Sequence, residues 1–99
     1  MEVEIDAIVK SVFDHDPQVS SVLVVDDSGL CLAKQGSISE EAAGLVASIA
    51  ARSEAVIAPS PQAVSPKSTI VQIEAESMTI LVRRTANVVV GIFKNKTQQ

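Results

Sequence analysis

Two short stretches of this chain are apolar almost without a break. They are Val22-Leu23-Val24-Val25 and Val88 to Phe93, the latter interrupted only by Gly91. A strand with one face in water alternates apolar and polar residues, so an unbroken apolar run must be covered on both faces. Both runs therefore belong in the middle of a sheet, with something packed above and below. With 99 residues, the chain forms one domain over 1–99, long enough to bury roughly 60–65% of its unfolded surface in a single core.

The remaining elements fall around these two strands. Residues 3–13 carry Ile5, Ile8, Val9 and Val12, the i, i+3, i+4, i+7 stripe of an amphipathic helix. Glu2, Glu4 and Asp6 suit its positive end, and Pro17 stops it. Val19 to Val25 is the first strand; Asp26-Asp27-Ser28-Gly29 turns, and Leu30 to Lys34 returns as a shorter edge strand. A second helix is expected at about 39–57, between the capping box Ser37–Glu40 (with Ser39 as the rival cap) and Pro59. Residues 58–67 hold three of the four prolines and form an extended connector. Ser60-Pro61 and Ser65-Pro66 within it are weak candidates for phosphorylation. Thr69 to Ala75, Met78 to Arg83 and Val88 to Phe93 then make three strands.

Placing the two doubly buried strands side by side fixes the rest. Hairpin connections give a five-stranded antiparallel sheet of order 2-1-5-4-3, with a helix over each face. The fold class is α+β, α-β-β-α-β-β-β. The third strand becomes an edge with open hydrogen-bonding groups. On a helical wheel Leu45, Val46, Ile49, Val56 and Ile57 of the second helix gather on the face expected to cover the sheet. Ala43, Gly44, Ala47, Ala50, Ala51 and Ala55 make a smooth flank, a surface that either reflects helix propensity or lets another helix approach closely.

Recognisable chemistry is missing. His15 is the only histidine and reads as a surface helix end beside Asp14 and Asp16; Cys31 is the only cysteine and reads as a strand residue. Acid–base and zinc sites want several convergent ligands. Asp26 and Asp27 are neighbours in a turn and suit turn formation better than paired catalysis. No phosphate loop or nucleophile elbow is present, so no cofactor, no metal and no enzymatic activity are expected. Phe13 and Phe93 are the only aromatics, which leaves no platform for stacking bases. Arg83-Arg84 with Lys94 and Lys96 is a small basic cluster suited to an acidic partner, but a net charge of −4 argues against nucleic acid.

Charge is segregated along the chain. Residues 1–41 hold nine acids and two lysines, residues 42–99 three acids and six bases. Such a dipole orients partners, or it simply solvates two faces differently. Residues 1–10 are acidic and broken by charge, so no signal peptide is read. Glu2 replaces the glycine of myristoylation, and no prenylation box is seen. A cytoplasmic chain without direct membrane insertion is expected.

The segment Asp27-Ser28-Gly29-Leu30, followed by Leu32, Gly36, Ser39, Glu41 and Ala43-Gly44, resembles the roadblock family of small scaffold and GTPase-associated proteins, the small subunits of the lysosomal Ragulator complex among them. The likeness spans about residues 19–94. It implies a roadblock/profilin-like fold and pairing with another roadblock subunit, through the third strand and the second helix, into one continuous sheet. Carried onto this chain, the pairing residues are Ala43, Ala47, Ala50, Ala51, Ile70, Val71, Gln72, Ile73 and Glu74. The resemblance further implies a larger Ragulator-like assembly, recruitment of Rag GTPases, and amino-acid signalling to TOR complex 1 from the lysosomal surface, reached through partners. A homodimeric regulator acting directly on a small GTPase is the alternative. A profilin-like or PAS-like small-molecule sensor would need a cavity lined by polar groups, whereas the interior residues are nearly all aliphatic.

Overall fold

The computed structural model describes residues 2–57, 69–85 and 87–96, with side chains from Ile5 onward. Its elements are α1 (Glu2–His15), β1 (Val19–Val25), β2 (Cys31–Gln35), α2 (Ala42–Ile57), β3 (Ile70–Glu74), β4 (Met78–Thr85) and β5 (Val88–Asn95). The strands form one antiparallel sheet of order β2-β1-β5-β4-β3, as the two apolar runs require. The connector 58–67, with Ser60 and Ser65, lies outside the described residues.

The central pair is β1 with β5, in the register Val22↔Ile92, Leu23↔Gly91, Val24↔Val90 and Val25↔Val89. All four residues of the β1 run are fully buried, because successive side chains enter opposite cores. Leu23 and Val25 join Val82, Val89 and Phe93 beneath α2. Val22 and Val24 join Val90 beneath α1, whose Val9 is buried there and whose Ile5, Ile8, Val12 and Phe13 pack around it. Each such Val or Leu contributes about 1.5–3 kcal/mol relative to leaving it exposed.

Local polar groups set the boundaries. Asp26 Oδ1 accepts from Ser28 N, Ser28 Oγ and Leu30 N at 2.7–3.0 Å, and Asp26 N donates to the Leu30 carbonyl at 3.0 Å. These bonds hold Leu30 in the turn, so β2 begins at Cys31 rather than Leu30. They also favour the ionised form, and the Ser28 hydroxyl chiefly holds the Asp26 carboxyl below its ordinary pKa. After β2, Gly36 turns the chain at φ +102°, where a Cβ would overlap the Ser20 carbonyl oxygen. The second helix starts later than 39. Ala42 N and Ala43 N donate to the Ser39 and Glu40 carbonyls at 3.1 and 3.0 Å, a tight i→i+3 turn. Ser39 Oγ accepts from Glu41 N at 3.1 Å, so the rival cap is used and the Ser37–Glu40 box is not.

The rotation of α2 corrects the expected face. Ala43, Val46, Ala47 and Ala50 are buried on the sheet, whereas Leu45, Val56 and Ile57 are 67%, 80% and 58% exposed. Only Val46 and Ile49 of the expected sheet-covering set pack on that core. The small residues go inward because α2 runs close to the sheet. A Cβ built on Gly91 would lie 3.1 Å from Val46 Cγ2, so there is little depth under the helix for larger side chains.

A candidate pairing surface at the β3 edge

The sheet ends in two different edges. At β2 the register shifts between Val24 and Val25, leaving Leu32 without a Cα partner, and Lys34 lies on the strand. A bulge and a lysine are the usual guards against edge pairing. At β3 the register runs unbroken from Ile70↔Arg83 to Glu74↔Thr79, with neither lysine nor proline in Ile70-Val71-Gln72-Ile73-Glu74. Its outer backbone groups face away from the sheet as an unguarded template.

Side chains along β3 are already organised. Val71 packs on the core beneath α2, Ile73 is half-buried, and Ile70 is 56% exposed on the opposite face. Glu74 Oε1 accepts from Gln72 Nε2 and Thr79 Oγ1, both at 2.9 Å, and Glu74 Oε2 meets Lys96 Nζ at 3.0 Å. Lys96 above all, then Thr79 and Gln72, hold the Glu74 carboxyl below the ordinary glutamate range. Gln72 and Glu74 therefore bind one another on their own face and leave the backbone edge clear.

The far end of α2 packs at β4, the neighbour of β3 in the sheet. Its first turn is near the β1–β2 hairpin, where Gly44 meets Gly29, and its last turns reach β4. There Arg84 Nε and Nη2 donate to the two carboxylate oxygens of Glu54 at 2.8 and 3.1 Å, and Arg84 Nη1 donates to Asp27 Oδ1 at 2.6 Å. Glu54 first, then Asp27, push the guanidinium pKa further up. This triad pins helix, sheet and hairpin turn together, and just beyond it Val56 and Ile57 stand exposed.

Of the nine residues singled out for pairing, the structure brings Ile70 to Glu74 to the edge and leaves Ala51 exposed on α2. Ala43, Ala47 and Ala50 are not on the surface: 2–9% exposed, they are held by the chain's own sheet, so a partner cannot reach them without unfolding α2. Val56 and Ile57 were assigned to the inner face because wheel geometry does not say which of two apolar faces is inside.

Other expectations also resolve. The basic cluster is dispersed: Arg84 pairs with Glu54 and Asp27, Lys94 with Asp16 at 2.6 Å, and Lys96 with Glu74. Lys94 chiefly, helped by the Gln18 amide, keeps the Asp16 carboxyl below its usual value. His15 is exposed at the end of α1, its Nδ1 bonded to the Ser11 carbonyl at 2.8 Å. Burial pushes the Cys31 thiol up, with Glu40 adding to the shift, which is the reverse of what a nucleophile needs. A groove of about 280 Å³ between α1 and the sheet is floored by Val12, Val19, Leu81 and Ile92, with the closed Asp16–Lys94 pair at its rim. Among the described residues no group of three or more His, Cys, Asp or Glu side chains could hold a metal ion. No helix among them is long and apolar enough to cross a membrane.

The family model described as Ragulator complex protein LAMTOR5 matches residues 1–94. The chain belongs to the LAMTOR5 family. Solved structures agree on the fold. A roadblock/LC7 domain from Streptomyces avermitilis superposes with a TM-score of 0.72 at 12% identity, covering 91% of this chain and 77% of that one. MglB of Myxococcus xanthus gives 0.73 at 16% identity, covering 99% and 74%. The gliding protein MglB from Thermus thermophilus gives 0.69 at 18% identity, covering 99% and 73%. No curated protein matches the sequence. The chain thus has the roadblock/LC7 fold, in the strand order 2-1-5-4-3.

Proposed function

We propose that this LAMTOR5-family chain is a non-catalytic adaptor subunit that pairs with another roadblock-domain subunit by joining β3 edges. Ile70, Val71, Gln72, Ile73 and Glu74 supply the strand. Ala51, Val56 and Ile57 supply the helix surface beside it. The carrying observation is the asymmetry of the two sheet edges: β2 is bulged and carries Lys34, while β3 is regular and uncharged at its centre, and α2 ends in exposed Val56 and Ile57. Strand addition contributes main-chain hydrogen bonds, and the exposed apolar side chains beside it contribute burial.

Family membership extends the proposal to a Ragulator-type assembly that recruits Rag GTPases at the lysosome and supports signalling to TOR complex 1. In that setting the chain reaches the membrane surface through its partners. Its own part is to present a rigid edge and a helix end in fixed relation.

The test is solution mass by light scattering, on the chain alone and co-expressed with roadblock-domain Ragulator subunits. A stoichiometric heterodimer is expected, with the lone chain only weakly self-associated. A tight homodimer indifferent to those subunits would support direct action on a small GTPase instead. A monomer under both conditions would remove the pairing proposal.

A further inference from the structure

The opposite end of the molecule carries an apolar surface that β3 pairing leaves untouched. Gly29 of the first hairpin and Gly44 of α2 approach so closely that a Cβ on Gly29 would lie 3.2 Å from Gly44 Cα. The residues that follow them, Leu30 and Leu45, are 61% and 67% exposed, and Leu32, displaced by the bulge in β2, is 37% exposed. Leu30 and Leu45 thus follow a close backbone approach of the hairpin tip to the first helical turn, with Leu32 two residues further along the hairpin. A single exposed leucine is ordinary, but a cluster of them marks a contact surface.

The charges around the leucines are mostly of one sign. Glu40 and Glu41 are exposed, the Asp27 side chain is 72% accessible although Arg84 binds it at 2.6 Å, and Lys34 is the only base between residues 26 and 45. Glu40 also acts on the Cys31 thiol, which lies between Leu30 and Leu32 in sequence. The bulge and Lys34 guard the β2 edge against an added strand. We propose that the Leu30–Leu32–Leu45 surface docks an amphipathic helix of a partner protein whose polar face is basic. Its apolar side chains cover the leucines, and its lysines or arginines meet Glu40 and Glu41. The proposal does not use the β3 edge, because β2 and β3 are the two opposite edges of the sheet.

The probe is a helical peptide of leucine and lysine with one apolar stripe, titrated into the full chain while leucine methyl signals are followed by NMR. A peptide with every lysine replaced by glutamate is the control. Shifts are expected at Leu30, Leu32 and Leu45 with the basic peptide only. The double variant Glu40→Lys/Glu41→Lys should weaken binding by about tenfold or more. Leu45→Ser and Leu30→Ser, both at exposed positions, should abolish the shifts while the other methyl signals keep the wild-type pattern. Shifts centred elsewhere, equal binding of the acidic peptide, no binding, or indifference to charge reversal would each overturn the proposal. So would movement of the same leucine signals with protein concentration alone, which would make a second copy the occupant.

Discussion

Gly91 of β5 lies directly under Val46 of α2: a Cβ at Gly91 would stand 3.1 and 3.2 Å from the two Val46 methyls. Helix and sheet meet here more closely than side chains on both would allow. Gly91→Ala should therefore cost about 1–3 kcal/mol through overpacking, read as a lower urea midpoint at unchanged slope. Val46→Ala removes the methyls that clash, so the double variant should be less destabilised than the sum of the two single ones.

The same closeness separates two substitutions on α2 that look alike in sequence. Ala47→Arg places a charge at a position 9% exposed beneath the helix and should unfold or severely destabilise the monomer. Val56→Glu changes a residue 80% exposed and should leave stability within about 0.5 kcal/mol, while weakening association with a roadblock partner. Thermal unfolding of the lone chain and light scattering of the mixture read the two effects independently.

The strands and their order were legible because Val22 to Val25 and Val88 to Phe93 admit one position in a sheet, the middle. Turn chemistry at Asp26 and the stop at Pro17 were equally plain. The rotation of α2 was not, since Leu45, Val56 and Ile57 are more apolar than Ala43, Ala47 and Ala50, and hydropathy ranks them for the interior. What reverses the ranking is depth above Gly91, a property of two elements distant in sequence. The Arg84–Glu54–Asp27 triad was hidden for the same reason: its members come from β4, α2 and the first turn. The unbroken alternation of β3 did show in sequence, and that edge is where it was expected to lie.

Arg84→Met should destabilise the chain by about 1–2 kcal/mol, because it leaves the half-buried Glu54 carboxylate without its two-pronged donor. Its effect should concentrate at the end of α2, seen as faster amide exchange from Ser53 to Ile57 with the first turn of the helix unchanged.

Acid should loosen the β3 face. The Glu74 carboxyl titrates below its ordinary value of 4.5 because its charged form is held by Lys96, Thr79 and Gln72. A lowered folded value means that the stabilisation is fully present above the unfolded value and is lost as pH falls through the folded one. Lys96→Gln should move the Glu74 midpoint up towards 4.5 and reduce the loss of stability on acidification. Carboxyl NMR of Glu74 and melting temperatures across that pH range follow both.

The central claim is that β3, and not β2, is the edge at which this chain joins another. Amide hydrogen exchange on the chain alone and in complex with a roadblock-domain subunit tests it residue by residue. Slowed exchange confined to Ile70–Glu74 and the last turn of α2, with Cys31–Gln35 unchanged, is the expected result. Protection along Cys31–Gln35 while Ile70–Glu74 exchanges as in the free chain would contradict it.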